Sequence, residues 1–89
     1  MLTRQLTLND ANGLHLRVAG AIAQVALTHN ARVTVSCEGC RLAADACSIL
    51  QLLMMGAPCG AALTVAADGP DEAIVIGKLA ELLVDGAGI

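Results

Sequence analysis

The 89-residue sequence contains no Phe, Tyr or Trp, and its five Lys and Arg are outnumbered by eight Asp and Glu. Extended nucleic-acid binding needs basic surface to neutralise phosphates and usually rings on which bases stack, so both shortages argue against it. Long apolar runs are also missing. The most apolar segments, 49–55 and 73–76, fall far short of the roughly 18–20 residues that span a bilayer, and no membrane insertion is expected. Residues 1–10 carry Arg4 among alternating polar positions where a signal peptide would need an unbroken apolar stretch. A cytoplasmic location is the resulting expectation.

What the sequence has in quantity is small and branched aliphatic material. Hydrophobic residues make up 56% of the chain, with seventeen Ala and fourteen Leu among them. A chain of this length buries roughly 60–70% of its unfolded surface, enough for one closely packed core across residues 1–89 without a metal or disulfide staple. Four cysteines, Cys37, Cys40, Cys47 and Cys59, would allow three pairings in an oxidising compartment. A reducing cytoplasm keeps them as thiols, so they are read as free, with no metal and no cofactor.

Residues 2–8 alternate, with Leu2, Leu6 and Leu8 on one face and Thr3, Gln5 and Thr7 on the other, the pattern of a half-buried strand. Turn formers at 9–13 lead into a helical pattern over 16–29 that buries Ala19, Ile22, Ala23 and Ala26 and is stopped by Asn30. Val33, Val35 and Cys37 then alternate with Arg32, Thr34 and Ser36. Glu38-Gly39 can close a two-residue hairpin pairing Cys37 with Cys40, Ser36 with Arg41 and Val35 with Leu42. A short helix over 48–55 opens with a reciprocal capping box between Ser48 and Gln51 and ends at Gly56. Leu63, Val65 and Ala67 mark the last strand. Asp68-Gly69-Pro70 turns the chain into a final helix with Pro70 in its first position, Asp71 and Glu72 suited to the helix dipole, and Ala73, Ile76, Ala80 and Leu83 as its buried stripe.

The order is β-α-β-β-α-β-α, and every strand offers one apolar and one polar face. Helices need cover only one side of such a sheet. The expected architecture is α+β, an open-faced β-sandwich: a four-stranded antiparallel sheet with three helices on one face.

Chemistry concentrates where the first helix begins, at Asn12-Gly13-Leu14-His15-Leu16-Arg17. The first backbone N–H groups of a helix lack intrahelical partners and carry partial positive charge, which suits an anion. Arg17 adds a guanidinium fork matched to phosphate oxygens. A neutral imidazole beside such a cradle can accept a phosphoryl group. A solvent-facing cap histidine is the alternative that the residues alone leave open.

Gly13-Leu14-His15-x-Arg17 resembles the active-site motif of the HPr family, the histidine-containing phosphocarriers of the phosphoenolpyruvate-dependent sugar phosphotransferase system. The resemblance continues in Ser48-Ile49-Leu50 with Leu53 and Gly56, and in Gly69-Pro70-Asp71-Glu72. It implies that His15 is phosphorylated through Nδ1 by Enzyme I and passes the group to IIA domains. It further implies that Arg17 and the backbone amides of Leu16 and Arg17 hold the phosphoryl oxygens, and that Asn12 supports the site. Ser48 matches the family's regulatory serine, the target of a dedicated kinase in some bacteria. Leu16, Ile49, Leu50 and Leu53 match its docking positions, and the chain is read as a monomer. Leu16 stands where the family usually has a small residue and Val18 where it usually has Pro. Val18 loses the fixed φ but restores one N–H donor.

A regulatory or nitrogen-type member of the same family is an alternative reading. So is a ferredoxin-like metal-binding or metallochaperone domain using Cys37 and Cys40, whose CxxC spacing is on its own a weak signal. The hairpin register places both sulfurs on the core side, where they serve as small hydrophobes. His29 falls at a helix C-terminus and is given a structural or solvent role.

Overall fold

The computed structural model describes residues 1–9, 13–37 and 43–84. The elements are β1 (Leu2–Thr7), α1 (Leu16–Thr28), β2 (Arg32–Cys37), β3 (Ala44–Asp45), α2 (Ile49–Met54), β4 (Ala62–Asp68) and α3 (Glu72–Val84), the order expected from the sequence. The strands form one sheet in the order β1-β4-β2-β3, every neighbouring pair antiparallel. Because β1 and β2 both flank β4, they run parallel to each other, and α1 makes the crossover between them.

Each central strand carries small aliphatics on alternate positions, and those positions meet the helices. Val33 and Val35 on β2 and Leu63, Val65 and Ala67 on β4 are buried together with Leu6, Leu8, Ile22, Leu52, Val75 and Leu79. Ala19, Ile22, Ala23 and Ala26 are the buried stripe of α1, joined by Val18. Leu2 departs from the expected face: it lies near the start of an edge strand and is exposed.

The expected hairpin register is corrected. Val35 pairs with Ala44 and Thr34 with Asp45, rather than Val35 with Leu42, while Cys40, Arg41 and Leu42 lie outside the described residues. A displacement of two residues keeps the side-chain parity, so Ala44 presents its methyl to the core face on which Leu42 was expected. Hydrogen bonds fix β3 in this place. Ala46 N donates to Val33 O, and Ser48 N donates to Asp45 O.

Those bonds also alter the capping box. Ser48 Oγ accepts from Gln51 N at 3.2 Å as expected, but Gln51 Oε1 accepts from Asp45 N at 2.8 Å instead of returning to Ser48 N. Ser48 N is already satisfied by Asp45 O, so the glutamine side chain serves the strand. Gly56 at φ +63° ends α2 in the left-handed conformation that favours glycine.

In α3 the buried residues are Val75, Ile76, Leu79 and Leu83. Ala73 is exposed and Ala80 half-buried, contrary to the expected stripe. Burying a Val or Leu side chain stabilises by about 1.5–3 kcal/mol, more than the single methyl of Ala, so the helix turns its larger residues inward. Pro70 precedes the helix, which begins at Glu72, and Val75 N bonds back to Asp71 O.

Asn30 does not stop α1 by a left-handed turn, since no described non-glycine residue has positive φ. The last-turn carbonyls are met instead by side chains: Thr28 Oγ1 donates to Gln24 O and His29 Nδ1 to Val25 O at 2.8 Å. Asn30 N then donates to Asp71 Oδ2 at 2.7 Å, and Asp71 N returns to Asn30 O at 3.2 Å. Gly69 completes this corner, because a Cβ on it would lie 2.6 Å from Asn30 O and 2.8 Å from Ala31 Cα.

The reading of all four cysteines as free thiols is also corrected. Cys37 is disulfide-bonded, while Cys47 and Cys59 are exposed free thiols. That expectation rests on a reducing compartment and on the hairpin register, whereas bond formation depends on whether two Cβ atoms come within about 4 Å.

Candidate functional site

The segment leading to His15 is fastened on both sides of residues 10–12. Asn9 N donates to Leu83 O at 2.9 Å and Asn9 Nδ2 to Val84 O at 3.1 Å, which satisfies carbonyls at the end of α3. On the other side, the buried Leu14 donates its N–H to Ala57 O at 2.9 Å, in the segment that follows α2. Asn12 lies outside the described residues.

His15 is the N-cap of α1, with extended backbone at φ −111°, ψ −179°. Its carbonyl accepts the first helical bond, from Ala19 N at 2.8 Å. The N–H groups of Leu16, Arg17 and Val18 precede that bond, at the positive end of the helix dipole. The His15 side chain makes no capping hydrogen bond, and the first turn holds no acidic residue. The ring is half-buried and its Nε2 is enclosed. Leu16 and Arg17 stand exposed beside it. Three consecutive residues thus place a histidine, an arginine and the first amides of the helix at one end of α1, residue types whose chemistry suits an oxyanion.

The second group of expected residues lies on α2, which packs against α1. Leu50 is 68% and Ile49 38% exposed, and Leu16 at the head of α1 is 66% exposed. Leu53, which matches a docking position of the family, is partly buried against the core. Met54, which the resemblance does not single out, is 76% exposed. Leu52 is the α2 residue that fully enters the core, and helical spacing from it directs position 54 outward.

Ser48, half-buried, caps α2 within a polar cluster that also ties Cys47 N to Asp45 Oδ1 at 2.9 Å. The Cys47 thiol is held above its ordinary pKa, first by partial desolvation and then by the charge and hydrogen bonding of Asp45.

The metal-binding alternative finds no support. A disulfide-bonded Cys37 offers no thiolate to an ion. Among the described residues, no three or more His, Cys, Asp or Glu are grouped to hold a metal, and no helix is long and apolar enough to cross a membrane.

The family model for the PTS HPr component phosphorylation site matches residues 2–85. The phosphocarrier protein HPr of Cupriavidus necator is 33% identical over 88 residues, covering 99% of this chain and 97% of that protein. HPr of Vibrio cholerae is 30% identical over 83 residues, covering 93% and 95% respectively. The crystal structure of HPr-C-His from Thermoanaerobacter tengcongensis superposes with a TM-score of 0.85 at 25% identity, covering 93% of this chain and 91% of that one.

Proposed function

Because this chain belongs to the HPr family, the phosphocarriers of the phosphotransferase system, we propose that His15 accepts a phosphoryl group from phosphorylated Enzyme I and delivers it to IIA domains in the cytoplasm. The observation that carries this is His15 standing at a helix N-cap without using its ring to cap, in a first turn without acids. The enclosed Nε2 supports Nδ1 as the ring atom that a donor reaches. The Nδ1 lone pair forms the new P–N bond as the bond between phosphorus and the donor breaks, and the donor atom keeps the electron pair. Arg17 and the amides of Leu16 and Arg17 hold the phosphoryl oxygens, with Asn12 in support.

Val18 keeps an N–H that a proline would lack, so this first turn offers one further donor. Partners dock on the apolar rim formed by Leu16, Ile49, Leu50 and Met54, with Leu53 packed beneath it, and the carrier acts as a monomer. A kinase acting on Ser48 would place its charge beside this rim, where docking requires desolvation.

Incubation with Enzyme I and phosphoenolpyruvate should give an acid-labile, alkali-stable adduct on the wild-type chain and none on His15→Ala. Label retained by His15→Ala would overturn the assignment.

A further inference from the structure

Gly13 is buried and has φ +70°, and the space where a side chain would stand is filled. A Cβ there would lie 2.6 Å from Ala57 O, 3.1 Å from Pro58 Cα and 3.2 Å from Cys59 N. All three are backbone atoms, so no change of rotamer makes room. The next residue, Leu14, donates its N–H to that same Ala57 O, and His15 N returns to Gly13 O at 3.1 Å. Gly60 provides the contrast: it has φ +88°, yet a Cβ on it would meet nothing within 4 Å.

We propose that Gly13 is a positioning residue for phosphoryl transfer: its lack of a side chain seats the His15 segment on the backbone of 57–59 and so fixes the imidazole at the start of α1. The inference rests on His15 being the acceptor. A Cβ would push the segment off its seat by displacing the carbonyl that orients Leu14, one residue before the histidine. Displacements of about 1 Å at a reacting atom can cost as much as 100-fold in rate, so the effect belongs to the transfer step. Docking through Leu16, Leu50 and Met54 should persist.

The test measures the saturating rate and half-saturating concentration of phosphorylation by phosphorylated Enzyme I for wild type, Gly13→Ala and Gly60→Ala, together with imidazole 1H–15N spectra. Gly13→Ala should lose about 10–100-fold in saturating rate at an unchanged half-saturating concentration, with displaced His15 ring signals. Gly60→Ala imposes positive-φ strain without a clash and should lower Tm while keeping the rate and ring signals. Equal losses in the two variants, or wild-type rate and ring signals in Gly13→Ala, would overturn the inference. Label on wild type but not on His15→Ala, measured first, secures the acceptor, so a later failure falls on Gly13 alone. If Gly13→Ala does not fold, Pro58→Gly decides, since it loosens the same seat without a clash. A lowered saturating rate supports the proposal and a wild-type rate overturns it.

Discussion

At the start of α1 the N-cap is a histidine whose ring does not cap, followed by a first turn without acids. At the start of α2 the N-cap is Ser48, whose hydroxyl takes the Gln51 N–H, while Asp45 binds the N–H groups of Cys47 and Ser48. Both are helix N-termini with the same dipole, yet the second is closed by acceptors from its own chain, whereas the N-cap side chain of the first makes no such bond. Beside the second end the Cys47 thiol is held above its ordinary pKa, first by partial desolvation and then by Asp45. The dipole is common to both ends, and the residue type at the N-cap decides whether a side chain closes it.

The harshest test of this contrast removes each N-cap side chain in turn. His15→Ala should abolish phosphoryl acceptance, whereas Ser48→Ala should keep it and lose about 1 kcal/mol of stability, read from label incorporation and thermal melts. Next in size is Arg17→Ala. One charge-assisted hydrogen bond contributes about 1.5–3 kcal/mol, so transfer should slow by about 10–100-fold. Its Tm should stay nearly unchanged because Arg17 is exposed. A large fall in Tm with normal transfer would make it a structural residue.

Ser48→Asp probes the closed end. Asp is also a good N-cap, so stability should stay within about 1 kcal/mol of wild type. Transfer from Enzyme I should weaken, since a carboxylate beside Ile49 and Leu50 must be desolvated on docking. Equal rates would leave Ser48 as a cap alone.

The smallest effect is at Cys47. Its alkylation by iodoacetamide should rise with pH through a midpoint above that of an unstructured cysteine peptide, and Asp45→Asn should lower that midpoint. The sign follows from the thiol being neutral when protonated: a raised folded pKa favours the folded state below the ordinary thiol value, and that advantage is lost as pH climbs through the folded pKa. A midpoint unmoved by Asp45→Asn would remove the carboxylate from the explanation.

The central strands were legible because Val33 and Val35, and Leu63, Val65 and Ala67, alternate with polar or smaller residues and only one sheet face is covered. α3 was harder to orient. Ala73, Ile74, Val75, Ile76, Leu79 and Ala80 surround much of its circumference, and side-chain size, not period, decides which enter the core. The Ser48–Gln51 box was half legible, because local spacing cannot register a competing N–H from Asp45. At the site, His15, Leu16 and Arg17 could be read together since they are consecutive at a helix start. The seat of Gly13 on Ala57 could not, because it joins distant parts of the chain through a backbone carbonyl that no residue type announces.

The corner built from Gly69, Asn30 and Asp71 lies at the C-terminal end of α1. Thirteen helical residues at about 1.5 Å each put it about 20 Å from His15. Perturbations separated by more than about 7–10 Å, with no shared contacts, combine additively. Substitutions at the corner and at His15 are therefore expected to add. Sequence drift at the corner should therefore raise or lower the melting point without altering what His15 does at the other end of the helix.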